Sequence, residues 1–102
     1  MATELNDLEV LQERIRLAPG PLIAARIRRA RKTADNGKSM SHDRFGELCG
    51  GVTRQHLIKL ENATHRPRAA MLLRISEATG RSVDWFLDPD ADPSPFPDDG
   101  AE

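Results

Sequence analysis

The stretch MSHDRFGELCGGVTRQHLIKLEN, residues 40–62, limits the possible fold more than any other part of the chain. Ser41 opens a helix-favouring run, with Met40 just before it and Phe45 four positions in. That is the spacing of an N-cap with a hydrophobic staple. Thr53 repeats the device twelve residues later, with Val52 and Leu57 in the equivalent places. Gly50-Gly51 stands between the two. The pattern predicts two short helices, 42–49 and 54–61, joined by a tight turn. Gly46 lies inside the first, where a glycine costs about 1 kcal/mol relative to alanine. A small residue there fits a close crossing by the second helix.

The rest of the chain also reads as helical, with no alternating runs bounded by hairpin turns. TELNDLEVLQERIRL places Leu5, Leu8, Leu11 and Ile15 three or four apart, an amphipathic helix that stops before Pro19-Gly20. LIAARIRRARKTA (22–34) sets Ile23, Ile27 and Ala30 on one face, with Arg26, Arg28, Arg29 and Arg31 crowded around it. DNGKS (35–39) is a polar loop. A helix over about 68–79 carries Met71, Leu72, Ile75 and Ala78 and stops at Gly80. SVDWFL (82–87) starts a last turn or two, with Ser82 as cap and Trp85 and Leu87 for the core. The expected fold class is all-α: a compact five-helix domain over 21–87, preceded by an extra N-terminal amphipathic helix within 1–20. Residues 88–102 hold four prolines and six acids, too little apolar surface to offset ordering entropy, and are expected to form a flexible acidic tail.

Charge is segregated along the chain. Residues 21–87 carry thirteen Lys and Arg against six acids, whereas 88–102 carry six acids and no base, so the net −1 of all 102 residues conceals a basic body. No run is long and apolar enough to span a membrane, no secretory signal is visible, and the single Cys49 permits no intrachain disulfide; a cytoplasmic protein is expected. The spacing of His42, Cys49, His56 and His65 matches no zinc pattern. No Gly-rich phosphate loop, nucleophile elbow or paired carboxylates stand out. No catalytic residue, metal or cofactor is expected, and the chain is not expected to be an enzyme.

On a helical wheel Val52, Leu57 and Leu60 would pin the second helix of the pair to the body. Gln55, Lys59 and Asn62 cluster opposite, with Arg54 and Ile58 on their flank. A helix held by its back can present such a face to the major groove. Residues 22–87 resemble the Cro/lambda-repressor-like (Xre-type) helix-turn-helix domain of bacterial and phage regulators. The resemblance is carried by ARIRRARK, SHDRFGELCG, GVTRQHLIKLENATHRPR, LLRISEATG and the closing SVDWFL, in that order. Two departures are the loop between the domain's first and second helices, about four residues longer than usual, and one extra residue between Gly46 and Leu57, which Gly50-Gly51 can absorb.

The resemblance implies a sequence-specific transcriptional regulator, a repressor that occupies a double-stranded DNA operator as a homodimer. It implies base reading by Arg54, Gln55 and Lys59, with His56 at the margin. Arg suits guanine and Gln suits adenine, each good bidentate pair giving about 1–3 kcal/mol of discrimination. Ser41, His42, Thr53, Asn62, Thr64, His65, Arg66 and Arg68 are the expected phosphate ligands, and Arg31 and Glu61 match positions that pair within the scaffold. The alternative on the same fold is an antitoxin that binds a protein partner through the N-terminal helix or the acidic tail while repressing its own operon.

Overall fold

Among the described residues six helices follow one another: α1 (Thr3–Leu17), α2 (Gly20–Lys32), α3 (His42–Leu48), α4 (Arg54–Glu61), α5 (Ala69–Thr79) and α6 (Val83–Leu87). The computed structural model describes residues 3–91, with side chains from residue 7 onward. Three of the helices begin as their sequences dictate. The hydroxyls of Ser41, Thr53 and Ser82 accept from the N–H of Arg44, His56 and Trp85, each at 3.2 Å. Both staples close, since Met40, Phe45, Val52 and Leu57 are all buried. The core runs through every helix, with Ile15, Ile27, Phe45, Leu57, Leu72, Ile75 and Phe86 wholly enclosed. Phe86 is a core residue that the sequence pattern did not single out.

The α3–α4 turn is built on glycine. At the end of α3, Gly50 donates to the Glu47 carbonyl at 3.1 Å and Gly51 to that of Gly46 at 2.9 Å, the paired bonds of a Schellman stop. Gly50 and Gly51 both sit at positive φ, 98° and 97°, where other residues are strained. Val52 also donates to the Gly46 carbonyl at 2.9 Å, so the chain folds back onto Gly46 before α4 begins. A Cβ at Gly46 would lie 2.0 Å from the Val52 carbonyl oxygen and 3.5 Å from Leu57 Cδ1. The close approach expected at Gly46 is real, but the turn's backbone makes it rather than the body of the second helix.

The end of α4 repeats the stop with the wrong residue. Thr64 donates to the Lys59 carbonyl at 3.0 Å, and Ala63 takes the left-handed position at φ 66°. An Ala63→Gly chain is expected to gain about 0.5–1 kcal/mol, less strain in the fold outweighing a looser unfolded chain, seen as a Tm higher by a few degrees. A lowered Tm would contradict this reading.

The polar loop after α2 is more structured than expected. Asp35 and Lys38 exchange backbone bonds of 3.1 and 2.9 Å around Asn36 and Gly37, both at positive φ, as a two-residue primed turn requires.

At the N-terminus, α1 lies along α5. Leu11 and Ile15 of the apolar stripe are buried in the protein's own core, Leu8 is 44% exposed, and the side chain of Leu5 lies outside the described residues. Gln12 takes the place of a cap on α5, its Oε1 accepting from Ala69 N–H at 2.9 Å.

The chain stays on the body just past α6. Residues 88–91 turn back, Ala91 donating to the Asp88 carbonyl at 3.0 Å and packing against the core. Of the tail expected over 88–102, residues 92–102 lie outside the described residues. No helix of the described residues is long and apolar enough to cross a membrane.

Candidate nucleic-acid interface

Leu57 and Leu60 hold α4 by its back, 0% and 1% exposed. Its opposite face is open: Arg54, Gln55, His56, Ile58, Lys59 and Asn62 are all exposed. An α-helix with side chains is about 10–12 Å across, the width of a B-DNA major groove.

Both flanks of that face are basic clefts. On the α2 side, Arg28 and His42 meet Ile58 and Asn62 around a recess of about 240 Å³. On the α5 side, His56, His65 and Arg68 share a recess of about 410 Å³ with Arg74. A helix seated in the major groove has a phosphate strand on either side, so cationic walls on both flanks match the charge it would meet. The structure thus brings together Gln55, Lys59 and Asn62 on the outward face, with His56, His65 and Arg68 on one wall and His42 on the other. Sequence reasoning missed Arg28 and Arg74. Neither lies in the helix pair; Arg28 reaches the rim because α2 packs against α4, and Arg74 because α5 shares a recess with it.

Arg54 is not a loose side chain. Its Nε donates to Asp43 Oδ1 at 3.1 Å and its Nη2 to Asp43 Oδ2, a two-point ion pair from α4 to the first turn of α3. Hydrogen bonding by the Arg54 guanidinium holds the Asp43 carboxyl below the usual carboxylate range and raises Arg54 in turn. The pair occupies one edge of the guanidinium. Nη1 and the second N–H of Nη2 remain for the O6 and N7 of a guanine.

Several expected phosphate ligands have local duties. Asn62 Oδ1 accepts from Thr64 N–H at 3.0 Å and from the Thr64 hydroxyl, which shapes the exit from α4. The Ser41 and Thr53 oxygens are engaged as caps but keep their hydroxyl protons. Arg66 is put to another use. Its Nη1 donates to the carbonyls of Ile15 and Ala18, each at 2.6 Å, and ties down the end of α1. A long side chain reaching 48 to 51 residues back leaves no local trace in the sequence.

The four arginines of α2 also divide. Arg31 and Glu61 pair as expected, Nε to Oε2 at 2.7 Å and Nη2 to Oε1 at 3.0 Å, with Nη1 on the Met40 carbonyl at 2.8 Å. His42 Nε2 stands 3.3 Å from Glu61 Oε1. Arg26 is buried, donates to the carbonyls of Trp85 and Ala91, and lies 5.2 Å from the Trp85 ring centre. Only Arg28 and Arg29 are left to the solvent. Cys49 is buried, which pushes its thiol up to about 11, away from the thiolate form that nucleophiles and soft ligands use. Among the described residues no group of three or more His, Cys, Asp or Glu could hold a metal ion.

A helix-turn-helix family model matches residues 27–86, more than half of the chain. The chain belongs to the Cro/C1-type helix-turn-helix family. It is a DNA-binding regulator of that kind. No curated protein and no solved structure matches it. In this helix-turn-helix domain α3 and α4 are the helix pair. The family model covers both basic flanks of α4 and ends short of Leu87; α1 stands outside it.

Proposed function

We propose that this helix-turn-helix protein is a transcriptional repressor that acts in the cytoplasm by occupying an operator. The observation that carries this reading is the exposed polar face of α4 standing between two cationic walls. Arg28, Arg68 and Arg74, with His42 and His65, capture the backbone. Ser41, Thr53, Asn62 and Thr64 lie around the same ends of the helix pair and complete the phosphate contacts. Arg54, Gln55 and Lys59 then read base edges, with His56 beside them. One short helix covers only a few base pairs, so a homodimer reading two half-sites about 34 Å apart is the working form. Leu8, Val10 and Leu73, exposed together around one recess of α1 and α5, support a second copy as the partner there.

Arg54→Ala is expected to cost binding to the preferred site at least about tenfold more than binding to random duplex, the loss of one bidentate base contact. Asp43→Asn tests the pair behind it. Removing one acid beside the DNA raises affinity for random duplex, while an Arg54 no longer held on two points loses discrimination. Both variants are measured by titration of labelled duplexes at two salt concentrations. An Arg54→Ala chain that prefers its operator as strongly as the wild type would rule out base reading by Arg54.

A further inference from the structure

Arg28 and Arg29, together with Lys32, rim a third and larger cleft. It encloses about 540 Å³ between α2 and the end of α4, and its floor is Pro21, Ala24, Ala25 and Ala63. The three cations are exposed, and none of them is in an ion pair among the described residues. The carboxylate at the cleft, Glu61, is taken by Arg31. An apolar floor rimmed by unpaired cations suits an acidic segment with one apolar anchor.

The chain carries such a segment. Residues 92–102, DPSPFPDDGAE, hold four acids (Asp92, Asp98, Asp99 and Glu102) and one aromatic residue, Phe96. Their starting point is fixed on the same helix, because Arg26 of α2 donates to the Ala91 carbonyl at 3.1 Å. On the helical wheel the middle of the cleft's α2 wall lies about 130° from Arg26, with Arg29 between them. Around a helix about 10–12 Å across, that arc is roughly 11–14 Å. Five residues span at most about 17 Å, and Phe96 is the fifth after Ala91. Chain length therefore lets Phe96 reach the floor, with Asp98 and Asp99 just beyond it.

We propose that residues 92–102 dock in this cleft of their own molecule, Phe96 on the alanine floor and the acids against Arg28, Arg29 and Lys32. The cleft shares Arg28 and Asn62 with the α2-side wall of the recognition helix. The docked tail competes with a DNA backbone there, a consequence that rests on the function proposed above, whereas the docking does not. Tethering through a short segment gives an effective concentration of the order of millimolar, so even a weak contact is occupied.

The test compares NMR spectra of the full chain with its Phe96→Ser and Asp98→Asn/Asp99→Asn variants, which alter no residue of the body. The amide and methyl signals of Ala24, Ala25 and Ala63 are expected to shift in both variants while those of Leu72 and Ile75 stay in place. The wild-type signals are expected not to change with protein concentration. Affinity for random duplex at low salt should rise about threefold in Phe96→Ser as the tail releases the wall. Unchanged cleft signals in both variants would overturn the docking. Signals that move with protein concentration would overturn docking in cis and place the tail on a second copy. Higher DNA affinity in the charge variant alone, without cleft shifts, would mean long-range repulsion and also overturns it. Cleft shifts with no change in a measurable DNA affinity overturn the competition. If no form of the chain binds duplex DNA, the function proposed above fails while the NMR comparison still decides the docking.

Discussion

Gly46→Ala is expected to remove a large share of the domain's stability, although alanine is the better helix former. The exchange gains about 1 kcal/mol in propensity. Against that, the new methyl would sit 2.0 Å from the Val52 carbonyl oxygen, with the Val52 carbonyl carbon at 3.1 Å. These are backbone atoms in a turn tied to Gly46 by two hydrogen bonds, so no side chain can swing aside. The turn must shift by about 1 Å or more, α4 moves with it, and overpacking of this kind costs about 3 kcal/mol or beyond. In a domain worth about 5–15 kcal/mol in total, that lowers Tm by roughly 15 °C. Gly80→Ala is the control. Gly80 sits at positive φ, unlike the helical Gly46, but has open space around it, so only the left-handed strain of about 1–2 kcal/mol is expected. Equal effects of the two substitutions in thermal denaturation would contradict the contact at Gly46.

Glu61→Ala is expected to be comparably damaging for a different reason. The Arg31 and Glu61 side chains are 9% and 7% exposed, and Arg31 also bonds the Met40 carbonyl, so one guanidinium joins α2, α4 and the approach to α3. Removing the carboxylate strands a buried positive charge, at a cost of about 3–5 kcal/mol. Replacing both partners at once, Arg31→Met with Glu61→Leu, removes that charge and should restore much of the loss. Arg31→Lys should fail like Glu61→Ala, because an ammonium cannot span two carboxylate oxygens and a carbonyl with fixed fork geometry. Chemical denaturation of the four chains decides this. A double variant no more stable than Glu61→Ala would show that the site needs the ion pair itself.

Local signals carried most of the fold, and distant contacts account for what was missed. Ser41, Thr53 and Ser82 announced their helices because a cap acts on an N–H three residues away. The Gly50-Gly51 stop was legible for the same reason. By contrast, Gln12 capping α5, Arg66 holding the end of α1 and Arg26 pinning Ala91 link residues 48 to 65 positions apart. Long side chains can be recruited by whichever element packs beside them, and nothing near them in sequence says which. The same holds past the change of composition at Asp88, where Arg26 holds the chain at Ala91. The outward face of α4 was legible from periodicity alone, whereas the second arm of each basic wall, Arg28 or Arg74, needed the packing of α2 and α5. Arg54 looked like a free reader in the sequence; its tie to Asp43 depends on how α3 and α4 cross.

The most direct test of α4 as the reading element is selection of preferred duplexes from a random pool by the wild-type and Gln55→Ala chains in parallel. The wild type should return a motif of two related half-sites. Gln55→Ala should return the same motif with its preference lost at one position of each half-site. A wild-type chain that enriches no sequence, or a Gln55→Ala chain that enriches the wild-type motif unchanged, would contradict base reading by this face.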